Sequence, residues 1–446
     1  MSTHYTSYGK LLFVAMDIGK NVHWLAAYHG AELTPLRPAD KLRSTHDGLN
    51  QVTQQMDGWL ADPRYEQVIL GHEPTGIYHE NWARALLNRY GHHMVTAANL
   101  ATAVSGQPRL DYRFLNPLLV KRQRETLTSG RRRKTDALDL DAIAHCLRDG
   151  LGYPAALPFD DELRLALWSR AYRQLQRQQR RLEMDLTAQV DRLWPGLIAN
   201  VKRFQKMHPD LEPPVPLVRS RPFTRQSVQA ILCHCPNPYD FVALDVAGIQ
   251  AFLRQHVGRC GPVTAAKVER IVAQAVLPPP DVAVLLAEQV QATMQAYLAG
   301  LARAANLEAQ VEQFVPQTAA AVLTTIPGVS PFLGARYLGY LKHPQRFSKP
   351  SEVWSFAGFD LVTEESGDSR RLGKITRKGH PGLRDTLYLI GYHTAQNVPA
   401  IGRAYQRALA NGKGKVGATL HAAQKANRLC HRLLYDQIPF DPDRSR

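Results

Sequence analysis

Two short apolar runs that lead to acidic residues constrain the fold of this chain more than any other feature. Leu11–Met16 runs into Asp17, and Val68–Leu70 is followed by Gly-His and then Glu73. Continuous apolar runs bounded by turn residues are typical of strands buried within a sheet. Each of these strands would therefore place a carboxylate at its end, although an acid before a turn can also serve only to bond the local backbone.

The segments after each run extend the predicted sheet. Ile18–Asn21 forms a turn into a second strand, Val22–Tyr28, which predicts a β-hairpin. Further along, Pro74–Gly76 leads into a helix over about 79–89, and His93–Ala97 is typical of another strand. The first 150 residues therefore predict two strands, then a strand, a helix and a strand, and finally one further helix.

That further helix carries two acids at its start. Thr135 or Asp136 can cap it, and Gly150 ends it. At about 100° per residue, Asp136 and Asp139 share a face. The same face carries Ile143 and Leu147, whereas the opposite, solvated face carries Asp141, His145 and Arg148. Two carboxylates on an apolar face must share a proton, pair with a cation or bind a metal. The alternative is a helix start whose acids complement the helix dipole.

Four acids occur in the order that an RNase H-like nuclease fold requires, at two strand ends and on a flanking helix of a mixed α/β sheet: Asp17, Glu73, Asp136 and Asp139. Four carboxylates can hold two Mg²⁺ ions about 3.5–4 Å apart, one activating the attacking oxygen and the other stabilising the leaving oxygen. His72 could assist proton transfer, although a histidine on a strand is more often structural. We therefore predict metal-dependent chemistry on a nucleic acid.

The charge of the chain supports a polyanionic partner. The formal net charge is +16, and the segment 121–134 holds seven cations against the single acid Glu125. Those cations are Lys121, Arg122, Arg124, Arg131, Arg132, Arg133 and Lys134. Clustered cations favour a phosphate backbone over general solubility. No apolar run approaches the length of a membrane span and no signal-peptide pattern is present, so we expect no membrane association.

The five cysteines indicate a reducing cytoplasm, because their number is odd and the chain is long. Cys233-His234-Cys235 together with Cys260 does not have the spacing of a standard zinc site, and we expect small buried thiols instead.

The middle of the chain predicts long helices and a proline-rich break. A linker at 153–158 precedes a basic helix over 160–194, which is typical of a coiled-coil arm, with an ordinary bundle helix as the alternative. Residues 201–225 are proline-rich, which predicts a linker or loop. Three helical patterns follow at about 225–233, 246–257 and 262–275, and then a long helix at 281–314 that could fold back along the first. We find no chemistry in 201–316.

Two features mark the C-terminal third. Leu323–Ala335 is similar to a helix-hairpin-helix, but Ser330 stands where such hairpins usually have glycine, so helix packing is as well supported as phosphate binding. Ser366-Gly367 lies beside a basic loop that could neutralise a phosphoryl group attacked by the serine, with a plain turn serine as the alternative. The loop contributes Arg370, Arg371, Lys374, Arg377, Lys378 and Arg384.

Taken in order, these motifs resemble those of the transposases of insertion-sequence family 110, the D-E-D-D recombinases described as guided by a bridge RNA. The matching pieces in the first part are V-A-M-D-I-G-K around Asp17, H-E-P-T-G around Glu73, and Lys134–Asp136 followed by Asp139 and Ile143-Ala144. The later pieces are Ile326–Val329, Arg346-Phe347, Gly358, Ser366-Gly367, Arg377–His380 and Leu383-Arg384. The resemblance covers about 1–195 and 318–395.

The resemblance implies three domains: a RuvC-like D-E-D-D catalytic domain at 1–152, a helical coiled-coil arm with a proline-rich insertion at 153–316, and a mainly α C-terminal transposase domain at 317–446. It implies that the four acids bind Mg²⁺ and that Ser366 attacks DNA to form a transient phosphoserine link. It further implies donor and target DNA, a structured guide RNA, and a homodimer that assembles into a tetramer in which acids and serine come from different protomers. The protein would then act in the cytoplasm, associated with the nucleoid.

The chain departs from the family pattern in its long, proline-broken segment 201–316 and in Ser330. It departs again around Ser366, which Glu364 and Glu365 precede and with which Ser369 competes for the role of nucleophile. A second hypothesis is a metal-dependent, structure-specific nuclease of the junction-resolvase type, in which the acids act with water and Ser366 only packs. A third is an architectural nucleic-acid-binding protein with an inactive nuclease fold, against which the presence of all four acids counts.

Overall fold

The computed structural model describes residues 8–74, 76–91, 109–129, 135–155, 157, 160–366 and 369–443. The chain divides into two compact units, Met1–Phe159 and Asp160–Arg446. Both units are built around buried apolar side chains, the first on a mixed sheet and the second almost entirely on helices.

The described part of the first unit is a seven-stranded sheet with helices on both faces. Its strands are β1 Leu11–Ile18, β2 Val22–His29, β3 Thr34–Pro35, β4 Asp40–Arg43, β5 Gln67–His72, β6 Arg109–Phe114 and β7 Tyr153–Pro154. Its helices are α1 His46–Ala61, α2 Tyr78–Tyr90, α3 Pro117–Leu127 and α4 Asp136–Arg148. The strand order is β3-β2-β1-β5-β6-β7, with β4 also paired to β2. β1 is antiparallel to β2 and parallel to β5, which is parallel to β6.

Alternation along β1 assigns its side chains to two different cores. Phe13 and Ala15 pack with α4, whereas Val14 and Met16 pack with residues of α1 and α2 on the other face. Since successive side chains of a strand point to opposite faces, both faces of this strand must be apolar. This explains why the run is continuous rather than alternating.

The predicted hairpin and the helix after Glu73 are confirmed, and the strand expected at 93–97 lies outside the described residues. The sequence analysis missed β6 and α3. On β6, the buried residues Leu110, Tyr112 and Phe114 alternate with charged residues. This alternation of apolar and charged residues is typical of a strand, but the segment is short and the sequence analysis did not assign it.

Two long antiparallel helices run through the second unit. They are α5 Asp160–Leu193 and α11 Pro280–Phe314, close to the predicted bounds. The Trp168 and Phe314 rings meet at 5.2 Å, and a Cβ at Gly300 would overlap the Gln179 side chain. Because the partner number falls as the number along α5 rises, the second helix folds back along the first.

The segment between the two long helices has a hydrophobic core of its own. It comprises α6 Val201–Met207, α7 Gln226–His234, α8 Tyr239–Val242, α9 Val246–Val257 and α10 Pro262–Gln274. These helices, α6 excepted, pack with the distal halves of the long helices around Trp194, Phe223 and Phe241. The prediction of a linker is wrong at α6, which is a helix. It forms because Asn200 caps its first turn and because the first proline, Pro209, comes only after the helix has ended. Cys233, Cys235 and Cys260 pack as free thiols against this core.

A second core organises the C-terminal part of this unit. Its elements are α12 Pro331–Leu341, α13 Pro350–Phe356, β8 Leu361–Ser366, β9 Ser369–Ile375, α14 Pro381–Asn397, α15 Pro399–Ala410 and α16 Lys415–Asp436. The helix-hairpin-helix-like segment is a 3₁₀ helix, Ala319–Thr325, followed by a turn and α12. Ser330 caps α12 by accepting from the Leu333 backbone N–H at 3.2 Å, and all of 332–341 is buried. This geometry favours helix packing over phosphate binding. None of the helices in the described ranges is long and apolar enough to cross a membrane.

Candidate active site

Two of the predicted acids leave neighbouring parallel strands on the same face of the sheet. Ala15 of β1 is paired with Gly71 of β5, so continuing this register by two residues sets Asp17 beside Glu73. The face is fixed by alternation, because Ala15 packs with α4 and the space above Gly71 is filled by the Leu147 side chain of α4. Asp17 and Glu73, both half-buried, therefore emerge on the side of the sheet that α4 covers.

The start of α4 brings a third acid to this edge. The Thr135 hydroxyl accepts from the Leu138 backbone N–H at 3.2 Å, which fixes the first turn and with it Asp136. Asp17 and Asp136 line one open cleft of about 370 Å³, whose other walls come from the turn and second strand of the hairpin and from β4. Those walls are Gly19, Lys20, Asn21, Val22, Trp24 and Lys41. Two carboxylates and two lysines thus converge on one solvent-accessible hollow.

The fourth acid, Asp139, is held by a cation from another helix. It forms an ion pair with Arg124 of α3, and the two side chains are only 8% and 17% exposed. A buried carboxylate needs such a partner, and the guanidinium here stands where a metal ion could otherwise supply the charge. Of the three outcomes expected for an inward-facing carboxylate, the structure shows pairing with a cation for Asp139.

The predicted division of α4 into an inward and a solvated face needs two corrections. Asp136 is exposed rather than inward, because it is the first helical residue and lies at the open cleft. Asp141, expected to be solvated, is half-buried and accepts a hydrogen bond from the Tyr28 hydroxyl at 2.8 Å. Burial, reinforced by Asp141, raises the pKa of Tyr28, so this hydroxyl stays a donor at neutral pH.

The other end of α4 lies nearer to Glu73. Burial raises the pKa of the Cys146 thiol to about 12, with smaller contributions from the negative charges of Asp149 and Glu73. Glu73 is thus close enough to α4 to influence Cys146, while Asp17 shares its cleft with Asp136. The helix therefore crosses over the ends of both strands.

His72 has a structural role: its ring forms hydrogen bonds that fix the backbone at Glu73. Its Nδ1 lies 3.0 Å from the Glu73 carbonyl oxygen and its Nε2 lies 2.7 Å from the Tyr112 hydroxyl. Burial lowers the pKa of His72 to about 3, so the ring is neutral. The carbonyl can only accept, which makes Nδ1 the donor and Nε2 the acceptor of the tyrosine proton. His72 therefore fixes the chain where Glu73 leaves the sheet.

The chemistry of the acidic edge fits a hard divalent cation, because every predicted ligand is a carboxylate. In the ranges that the structure describes, no three His, Cys, Asp or Glu residues come close enough together to hold a metal ion. Asp139 is paired with Arg124, and Asp136 is an exposed residue that lines the cleft. The acids thus share one edge of the sheet without forming a closed ligand cage.

The predicted nucleophile lies at the end of a short hairpin in the second unit. Ser366 ends β8 and is the register partner of Ser369, which begins β9. Glu365 and Glu364 are likewise the register partners of Arg370 and Arg371. Lys374 lies further along β9. Gly367 and the basic run Arg131–Lys134 lie outside the described residues.

The loop after this hairpin exposes only part of its predicted basic surface. Arg377 and Lys378 are exposed, and Arg377 has a left-handed backbone with φ of 53°. Arg384 is half-buried, and its Nη1 donates to the Ala357 carbonyl at 2.9 Å and to the Arg377 carbonyl at 3.3 Å. The Arg384 guanidinium therefore holds the loop in place, and its contact with nucleic acid stays a prediction.

The motif residues of the C-terminal third gather around this loop. Arg346 is stacked between Phe347 and Phe356, 4.8 and 4.7 Å from the ring centroids, and Phe356 in turn stacks on His380 at 5.6 Å. A Cβ at Gly379 would lie 2.4 Å from a backbone nitrogen of the chain packed against it, so only glycine fits. Separate sequence motifs thus build one compact loop cluster.

Family models match both the region of the four acids and the region of Ser366. A model of DEDD transposases of the IS110 type matches residues 14–195, which contain all four acids. A second model, for transposases of the IS116/IS110/IS902 family, matches residues 320–406, which contain Ser366 and the loop cluster. The two matches do not overlap and together span more than half of the 446 residues.

The chain belongs to the IS110 family of transposases. It is a DNA-processing enzyme, DNA is its partner, and the DEDD type of the family suggests dependence on a divalent metal ion. A search among curated proteins finds no match to the chain.

Several residues of the transposase site were missed by the sequence analysis. Arg124 was counted only as one of a group of cations, and its pairing with Asp139 depends on how α3 packs against α4. Lys41 reaches the cleft because β4 pairs with β2, and β4 was not predicted, whereas Lys20 lies in the predicted turn of the hairpin. A lysine in the turn directly after Asp17 was the one signal that the sequence offered.

Proposed function

We propose that this transposase cuts and rejoins DNA strands by combining a Mg²⁺ site on its acids with a serine nucleophile. The observation that supports this most is the cleft shared by Asp17 and Asp136, at the strand ends where Glu73 also emerges. Such an edge is where an RNase H-like enzyme places its metal ligands. Because DNA is the substrate, we expect the protein to act at the nucleoid.

The acids have distinct tasks in this proposal. Asp17, Glu73 and Asp136 would hold Mg²⁺, with Asp139, which is paired with Arg124 in the structure, as the fourth ligand. When bound, the cation supplies positive charge to the phosphoryl oxygens during phosphoryl transfer. Lys20 and Lys41, on the walls of the cleft, attract the DNA phosphates to it.

Ser366 performs the covalent step. Its hydroxyl oxygen attacks a DNA phosphorus, the bond from that phosphorus to the leaving sugar oxygen breaks, and the serine proton ends on the released hydroxyl. The product is a phosphoserine link on one DNA end and a free hydroxyl on the other. Attack by a hydroxyl of a second DNA end reverses the step and rejoins the strands. Arg370 and Arg371, on the strand paired with β8, supply positive charge for the phosphoryl group.

The remaining features of the proposal rest on the family resemblance. A structured guide RNA pairs with donor and target DNA, so base pairing supplies specificity while basic protein surfaces contact the backbone. The helices α5 and α11 form a coiled-coil arm between a catalytic domain at 1–152 and a transposase domain at 317–446. Dimers assemble into a tetramer in which acids and serine come from different protomers.

Two carboxylates on one helix provide a matched test. Labelled DNA is incubated with Mg²⁺ and co-purified RNA, using wild type, Asp136→Asn and Asp141→Asn. Asp141 bonds to Tyr28 away from the cleft, and an asparagine oxygen can still accept that bond. We expect Asp136→Asn to lower strand cleavage at least 100-fold and Asp141→Asn to leave it within about twofold.

Equal loss in both variants would contradict the assignment of Asp136 to the metal site. Digestion of the RNA before assay tests guidance separately, because site-specific cleavage should then disappear. Cleavage that persists without the RNA would favour the junction-resolvase type of nuclease.

A further inference from the structure

A row of arginines follows one face of α5. Arg173, Arg177 and Arg180 are spaced four and three residues apart, so they lie along the same side of the helix. Among the described residues, none of the three has an acid within salt-bridge distance, whereas Arg181 pairs with Asp185 at 4.0 Å. A helix face with three guanidinium groups outside any ion pair has capacity for anions, although Asp385 lies near Arg173.

Two adjoining hollows lie beside this arginine row, both within the second unit. One, of about 460 Å³, is lined by Arg173, Arg177, Arg180 and Arg181 of α5 and by Asp385 of α14. The other, of about 480 Å³, continues from it towards α11 and α12. The two share Gln176, Arg180 and Asp385, so the row borders one continuous groove rather than a flat surface.

A buried arginine lines the inner hollow. Arg336 of α12 is only 3% exposed, and its guanidinium lies 5.4 Å from the Tyr172 ring and 5.8 Å from the Phe332 ring. Its Nε has no hydrogen-bond partner among the described residues. A buried N–H without an acceptor is costly, and an anion in the groove would satisfy it.

The electrostatics of the groove favour an anionic ligand. Burial lowers the pKa of Arg173, and the neighbouring Arg177 lowers it further, which shows cations crowded together. The acids that face the groove are Glu183, Asp185 and Asp385, fewer than its five arginines, and Asp185 is paired with Arg181. Asp385 is exposed. The ligand must therefore be repeatedly charged, because a single anion would not engage the whole row.

We propose that this groove binds the phosphodiester backbone of a nucleic-acid duplex, with Arg173, Arg177 and Arg180 contacting phosphates within one short stretch of that backbone. At about 1.5 Å per residue, Arg173 to Arg180 extends about 10.5 Å, which matches about three steps of about 3.4 Å along the axis of a duplex. The site uses none of the residues assigned to metal binding or to serine chemistry. It rests on the proposed function in that an enzyme of this kind must hold DNA, RNA or both.

Binding without cleavage tests the groove independently of catalysis. Fluorescence anisotropy is measured with 20-base-pair DNA and RNA duplexes of the same sequence, in EDTA, between 50 and 200 mM salt. The variant is Arg177→Gln/Arg180→Gln, which removes two exposed arginines. The control is Arg192→Gln/Arg428→Gln, which removes two exposed arginines of the same unit outside the groove and changes the net charge equally.

Two lost phosphate contacts should lower the salt slope of binding by about 1.8. Over a fourfold rise in salt, wild-type affinity should therefore fall about 12-fold more than that of the variant. A change confined to the RNA duplex would identify RNA as the ligand, a change confined to the DNA duplex would identify DNA, and a change in both would show backbone recognition common to the two.

Unchanged affinity and slope for both duplexes would overturn the proposal, as would an equal loss in the control pair, which would reflect net charge alone. Circular dichroism of each variant shows whether the fold is retained. Catalysis is not read in this assay, so failure of the metal or serine assignments would leave these binding results unaffected.

Discussion

Removal of the Arg124 guanidinium tests whether its positive charge stabilises the buried carboxylate of Asp139. Arg124→Gln removes the guanidinium that pairs with a carboxylate only 8% exposed. Breaking a buried pair from one side costs about 3–5 kcal/mol, and the 17% exposure of Arg124 admits some water, so we expect about 2–3 kcal/mol. For a unit of about 160 residues, each kcal/mol lowers Tm by roughly 2–4 °C, which gives roughly 4–12 °C.

The decisive comparison is between EDTA and Mg²⁺. If Asp139 is a metal ligand, a dication replaces the lost positive charge and stabilises the variant more than wild type, where Arg124 competes. With a Kd of about 1 mM, 10 mM Mg²⁺ would contribute about 1.4 kcal/mol, or roughly 3–6 °C. Calorimetry of the full chain measures this, with Arg122→Gln as the control because Arg122 is exposed on the same helix. An equal deficit of Arg124→Gln in EDTA and in Mg²⁺ would refute the reasoning.

Two further predictions concern the C-terminal unit. Ser330→Ala removes the cap of α12 and should cost about 1 kcal/mol in urea unfolding while leaving DNA affinity unchanged; a selective loss of affinity would restore the phosphate-binding role of the hairpin. Burial, followed by the charge of Arg173, lowers the pKa of His380 to about 4, below the 6.5 of the unfolded chain. The unfolded state therefore binds more protons between these values, so stability should fall as the pH drops from 7 towards 4. His380→Asn should lose less stability over that range, and an equal loss would contradict this assignment.

Much of the fold was accessible from the sequence because its main signals are local. The apolar runs of β1 and β5 were continuous because α4 covers one face of the sheet while α1 and α2 cover the other. The start of α5 followed from the acidic residues that begin at Asp160, and the start of α11 followed from the prolines that precede it. The helix α6 was missed because proline content was given more weight than the capping Asn200.

The site was less accessible because its details depend on tertiary packing. The strand ends located Asp17 and Glu73, and register then set them side by side. The pairing of Asp139 with Arg124, and of Asp141 with Tyr28, joins segments 15 and 113 residues apart along the chain. Helical periodicity assigns a side chain to a face, but it does not show which residue meets it there.

The capture of a covalent intermediate tests the central claim most directly. Labelled DNA is incubated with Mg²⁺, co-purified RNA and either wild type, Ser366→Ala or Ser369→Ala, and is then separated under denaturing conditions. Ser369 is the matched control because it is the register partner of Ser366 across the hairpin. We predict a denaturant-resistant protein–DNA adduct in wild type and Ser369→Ala that is absent from Ser366→Ala. Cleavage without an adduct, and unaffected by Ser366→Ala, would contradict serine chemistry and identify a hydrolytic nuclease.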